Sequence, residues 1–163
     1  PLIDKYDNLV VVRTFSKSRS MAGLRIGYAI SNPELIKALN DVKYSYNSYT
    51  MNRPSLVLGV ESIHDDAYFR EKVGQIIATR ERFVKEIAEL GFTCLPSSAN
   101  FVFATHESIP AKEIFAAAKE NNIYVRYFDK PRIDNYLRIS IGTDAEMDAF
   151  VAFLKGYVET KQN

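Results

Sequence analysis

Residues 13–28 read RTFSKSRSMAGLRIGY, with the apolar run LVVV at 9–12 before them and IGYAI closing them at 26–30. A continuous β-branched run predicts a strand buried on both faces of a parallel sheet, and IGYAI predicts a second short strand. Between them Lys17 stands among hydroxyls and arginines, where its charge gains little from its neighbours. One reading is a solvated basic loop. The other is a reactive amine, since burial or nearby positive charge favours the neutral, nucleophilic form, and Arg13, Arg19 and Arg25 supply such charge. Thr14, Ser16 and Arg25 also suit a phosphate: hydroxyls donate to single oxygens and a guanidinium grips two at once. Amine and phosphate donors together point to a phosphorylated aldehyde, and pyridoxal 5'-phosphate is the common cofactor of that kind.

Outward from this stretch, Ser31-Asn32-Pro33-Glu34 predicts a helix cap with proline in the first turn, and helix follows to about Val42. Residues 44–53, YSYNSYTMNR, have no clear period and read as a loop. Leu56, Val57, Val60 and Ile63 mark a helix from Pro54, broken near His64-Asp65-Asp66. A longer one follows, with Phe69, Val73, Ile76, Ile77, Phe83, Val84, Ile87 and Leu90 at three- and four-residue spacing and Gly91 as its stop. Then short strands alternate with helices: FTCL, NFVFA, a helix over about 110–121, IYVR, YLRISI, and a last helix from about Asp144 with Thr143 or Asp144 as its cap. The expected division is 1–52 as the end of an α/β domain, 53–91 as connecting helices, and 92–163 as a small α+β domain with its own core.

The 163 residues are 47% apolar, enough for a real core, and 21 Lys+Arg against 20 Asp+Glu leave a net charge of +1. That balance gives no field for nucleic acid or an anionic membrane, so neither is an expected partner. No stretch is long and apolar enough to span a bilayer and PLIDKYDN is no signal peptide, so a cytoplasmic protein is expected. Cys94, the single cysteine, excludes an internal disulfide and reads as a buried thiol. His64 and His106 stand apart near acidic residues and read as solvated caps; no metal is expected. Arg19 reads as a solvent-facing or phosphate-neighbouring charge and Arg80-Glu81-Arg82 as a solvated helix face. The first residue is Pro1, which suggests a piece of something longer.

The run TFSKSRSMAGLRIGY resembles the lysine segment of fold-type I, class I/II aminotransferases, and within them that of the histidinol-phosphate aminotransferases. SSANFVFA at 97–104 is similar to the family's small-domain strand, and NYLRISIGT at 135–143 to its carboxylate-arginine segment. The resemblance implies an α/β fold: the end of the large cofactor-binding domain, a long connecting helix and a complete C-terminal α+β small domain. It implies that Lys17 holds the aldehyde of pyridoxal phosphate, that Thr14, Ser16 and Arg25 hold its phosphate, and that Arg138 binds substrate with Arg126 as a second anion contact. Tyr46-Asn47 resembles a family YN pair and takes no role here. Ser18-Arg19-Ser20 departs from the family's usual small or aromatic residues after the lysine and adds a charge.

The implied reaction is transamination between histidinol phosphate and 2-oxoglutarate in histidine biosynthesis, by a homodimer acting on small amino and 2-oxo acids. Lys17 would serve twice, first holding the cofactor and then, freed, moving a proton from the substrate α-carbon. By the same resemblance the acid facing the pyridine nitrogen and the ring stacked on the cofactor lie upstream of Pro1, so these 163 residues alone are expected to bind it weakly and not turn over. The alternatives are an aromatic-amino-acid aminotransferase, a threonine-phosphate decarboxylase, or a non-catalytic α+β binding or assembly module.

Overall fold

In the computed structural model, which describes residues 2–162, the chain divides into two compact units between Glu71 and Lys72. The first holds the strands β1 (Val11–Thr14) and β2 (Gly27–Ile30) and the helices α1 (Pro33–Tyr46) and α2 (Arg53–His64). The helix α3 (Asp66–Ala88) begins in it and runs on into the second unit.

The two strands pair antiparallel, with Thr14 opposite Gly27 and Val11 opposite Ile30. This corrects the expectation of a strand buried in a parallel sheet: all four residues of β1 are exposed, Val12 by 68%. A parallel strand is buried by neighbouring strands and by helices on both faces, and among the described residues no other strand pairs with the hairpin. Asn32 caps α1 as its sequence predicts, accepting from the Leu35 amide at 2.9 Å with Pro33 in the first turn. The helix runs to Tyr46, so Tyr44–Tyr46 are helical where a loop was expected. Asn52 caps α2 in the same way, accepting from Ser55 at 2.9 Å.

Ser55, Gly59 and Ser62 recur at helical spacing along α2 and form a face of small residues. The Ser55 hydroxyl is buried and donates to the Leu24 carbonyl at 2.8 Å. A Cβ on Gly59 would stand 2.9 Å from the Ile26 side chain. Small residues here let the end of the lysine loop lie directly on the helix.

The second unit is a two-layer fold. Its sheet has the order β3-β4-β6-β5, with β3 (Phe92–Cys94), β4 (Phe101–His106), β5 (Arg126–Tyr127) and β6 (Leu137–Ser140) pairing antiparallel throughout. Burial alternates along β4 and β6, as period-two strands with one covered face require. Val102, Ala104, Leu137 and Ile139 point into a core completed by Phe83 and Ile87 of α3, Ile114 of α4 (Ala111–Glu120), and Met147, Phe150 and Leu154 of α5 (Asp144–Gln162). Each such large side chain contributes roughly 1.5–3 kcal/mol by leaving water.

The predicted stops and caps recur here. Gly91 takes the left-handed backbone, φ +85°, after α3. Thr143 and Glu146 form a reciprocal capping box on α5: the Thr143 amide donates to Glu146 at 2.7 Å and the Glu146 amide to the Thr143 hydroxyl at 3.3 Å. Asn135 accepts from the first amide of α4 at 3.0 Å, a cap supplied from far along the chain.

Three expectations change. His106 is buried, not a solvated cap: Nδ1 accepts from the Ser108 and Ile109 amides at 3.1 and 3.0 Å, which leaves the proton on Nε2, 2.9 Å from the Leu90 carbonyl. Arg82 is not merely solvated, since it joins Glu86 of its own helix to Asp144 and Asp148 of α5. Cys94 is half-buried rather than buried, and partial burial pushes its thiol pKa up, which keeps it protonated.

Candidate active site

The lysine loop closes the end of the β1–β2 hairpin. Beyond the Thr14–Gly27 pair the Phe15 amide still donates to the Ile26 carbonyl at 3.0 Å, a register that brings the chain at Ser16 back beside Arg25. The loop is wound tightly on itself: Arg19 and Met21 both donate to the Phe15 carbonyl, at 3.2 and 3.1 Å, and Ser20 donates to that of Lys17 at 3.1 Å. Ser20 and Arg25 hold φ of 55° and 57°, left-handed values unusual for residues with a side chain. Such strain persists only where surrounding contacts enforce it, and it gathers at functional sites.

Thr14, Ser16, Lys17 and Arg25 are thus brought into one loop. The Thr14 hydroxyl oxygen accepts from the Ser16 amide at 3.4 Å, which leaves its own proton to donate. Arg25 spends one Nη1 proton on the Ala22 carbonyl at 2.9 Å and keeps its other donors. Among the described residues neither the Lys17 amine nor the Ser16 hydroxyl has a partner. Lys17 is exposed. The set is an open amine on the same loop as three phosphate-type donors, a match for a phosphorylated aldehyde.

A second cluster lies on the open face of the sheet in the other unit. Arg126 and Arg138 are directly opposite each other on β5 and β6, so both project from the same face. Arg138 lies 5.4 Å from the ring centroid of Phe101, and Arg126 the same distance from Phe128. Phe103, opposite Arg138 on β4, stacks on Tyr136 at 4.6 Å. Neither arginine pairs with a carboxylate among the described residues. Two unneutralised guanidiniums side by side on an aromatic floor are suited to an anion with several oxygens.

Sequence reasoning chose both arginines but not their pairing, which is fixed by strand register. It also missed Arg19. That side chain is 16% exposed, with its guanidinium 3.9 Å from the centroid of Phe69 and Nη1 2.6 Å from the Ser62 carbonyl. It is an internal anchor, not a solvent-facing charge, and no local pattern announces partners over forty residues away. No group of three or more His, Cys, Asp or Glu able to hold a metal occurs among the described residues, and no described helix is long and apolar enough to cross a membrane.

The profile of a family described as aminotransferase class I and II matches residues 1–154. The histidinol-phosphate aminotransferase of Brachyspira hyodysenteriae is 51% identical over 94% of this chain and 44% of its own length, and that of Lactococcus lactis is 48% identical over 99% and 45%. Among solved structures, a histidinol-phosphate aminotransferase from Clostridium acetobutylicum superposes with a TM-score of 0.87 at 26% identity, over 97% of this chain and 48% of that one. The Sinorhizobium meliloti enzyme in complex with pyridoxal-5'-phosphate gives 0.82 at 28%, over 98% and 44%. The chain therefore spans less than half the length of these relatives. A match over residues 1–154, with the lysine loop and the paired arginines inside it, places the chain in the class I and II aminotransferases.

Proposed function

We propose that this chain is the lysine-bearing part of a pyridoxal-phosphate-dependent histidinol-phosphate aminotransferase. The observation that carries the reading is the loop itself, which holds an unpartnered amine, the hydroxyls of Thr14 and Ser16 and the guanidinium of Arg25 on an otherwise internally bonded turn. These groups fit the cofactor, with Lys17 on the aldehyde and the other three on the phosphate. Pyridoxal phosphate, when bound, supplies a sink for the negative charge that develops at the substrate α-carbon.

Lys17 would then serve as a base: its amine, once released, would accept the proton from the substrate α-carbon. Arg126 and Arg138 bind the anionic end of the substrate and fix which bond is presented. Glutamate and histidinol phosphate both carry an anion away from their amine, so one guanidinium pair serves both halves of the cycle. The aromatic floor of Phe101, Phe103 and Tyr136 supports a flat or apolar body behind that anion. A homodimer belongs to the same reading. A cytoplasmic location belongs to the same reading, as that of a biosynthetic enzyme.

In the full-length protein Lys17→Ala should abolish both the long-wavelength absorbance of the bound cofactor and transamination. A variant that kept that absorbance would sink the assignment of Lys17. A panel of histidinol phosphate, aromatic amino acids and threonine phosphate then fixes the substrate. Keto-acid product from aromatic amino acids alone, or carbon dioxide from threonine phosphate, would displace the histidinol-phosphate reading.

A further inference from the structure

The Lys17 side chain makes no hydrogen bond or ion pair among the described residues, so no polar partner fixes it apart from the turn that carries it. That turn is tied down from outside at one side chain. Between Ser16 and Met21 only Arg19 reaches beyond the loop with hydrogen bonds, among the described residues; Ser18 merely folds back on the Thr14 carbonyl at 3.1 Å. Arg19 Nη1 donates to the Ser62 carbonyl at 2.6 Å, in the last turn of α2, where carbonyls lack helical partners and the helix dipole is negative. Its Nη2 lies 3.5 Å from Asp66, the first residue of α3. Its planar face lies 3.9 Å from the Phe69 ring. A fixed fork with a flat face meets all three at once, which a lysine ammonium does not.

We infer that Arg19 is a positioning residue for Lys17: it stitches the lysine turn to the junction of α2 and α3, so that the amine keeps one place when it is released from the cofactor and when it returns. The inference rests on Lys17 being the reactive amine. The polar partners of Arg19 are Ser62 and Asp66, and it makes no hydrogen bond to the Lys17 amine.

Hydrogen exchange in the full-length protein, with the cofactor removed, tests the anchor independently of the chemistry. Arg19→Met keeps the stem and removes the fork. Amides of residues 15–21 should then exchange roughly tenfold faster, the scale of one lost charge-assisted hydrogen bond, while those of β1 and β2 stay as they were. Arg19→Lys should fall between. In the loaded enzyme Arg19→Met should lower kcat about tenfold or more with KM within roughly twofold, the mark of lost positioning and not of lost binding. Should Arg19→Met fail to fold, Asp66→Asn removes one of the three contacts and should give a smaller rise confined to 15–21. Unchanged exchange there in a folded variant, or a rise spread evenly over β1, β2 and α1, overturns the inference, and so does an unchanged kcat in a loosened turn. Absence of transamination in the unmodified protein would instead sink the functional reading, and the exchange result would still decide whether Arg19 is the anchor.

Discussion

Arg126→Gln separates the two consequences of setting one arginine against another. Like charges directly opposite on a sheet face destabilise by roughly 0.2–1 kcal/mol, and the substitution relieves that. It also removes the guanidinium beside the Phe128 ring, 5.4 Å from its centroid, a contact worth about 0.5–1 kcal/mol at an exposed site. The terms oppose and are similar in size, so without a multivalent anion the melting temperature should move by only a few degrees either way. An anion seated between the two guanidiniums changes the balance. At ten times its dissociation constant it adds RT ln 11, about 1.4 kcal/mol, several degrees for a small domain. The assay is thermal unfolding over a phosphate series at constant ionic strength, which holds charge screening fixed. Phosphate also stabilises proteins generally and meets the donors of the lysine loop, so the difference between the two proteins is the readout. The unmodified protein should gain the larger shift. Equal shifts in both, or none in either, would refute the pair as an anion seat.

Gly59→Ala should be nearly neutral, since a gain of about 1 kcal/mol in helix propensity offsets the close approach to Ile26. Gly59→Val should lose about 1–3 kcal/mol by overpacking, and a urea midpoint equal to that of the alanine variant would contradict the close contact. Thr143→Ala removes the cap of α5 and should cost about 1 kcal/mol in denaturant titration. Asp144 is held below the usual carboxylate range by Arg82 and then Thr79, and Glu146 by the Thr143 amide and then its hydroxyl. Both are lowered on folding, so their stabilisation is present above the unfolded values and is lost as pH falls through the folded ones. Replacing both by their amides should flatten the acid-side decline in stability between about pH 5 and pH 2; an unchanged slope would contradict those bonds. The 163 residues alone should show no transamination, and turnover by them would overturn the need for the rest of the fold.

Local patterns were readable where the chemistry is local. Asn32 with Pro33, Thr143 with Glu146, and Gly91 announced their caps and stops because each acts on neighbours within four residues. The alternating residues of β4 and β6 announced one covered face. LVVV misled, because an apolar strand reports what covers it in a larger fold and not what covers it in this chain. The site divides the same way. Thr14, Ser16, Lys17 and Arg25 sit on one loop and were legible together. The opposition of Arg126 to Arg138 waits on strand register, and the hold of Arg19 on Ser62 and Asp66 waits on the packing of two helices. His106 looked exposed beside acids, yet its ring is closed in by the Ser108 and Ile109 amides and the Leu90 carbonyl.

The central claim is that Lys17 carries the cofactor. Full-length protein incubated with pyridoxal phosphate, reduced with borohydride and digested should yield one modified peptide, with the pyridoxyl group on Lys17. Modification of another lysine in its place, or none above the level of free surface amines, would contradict it.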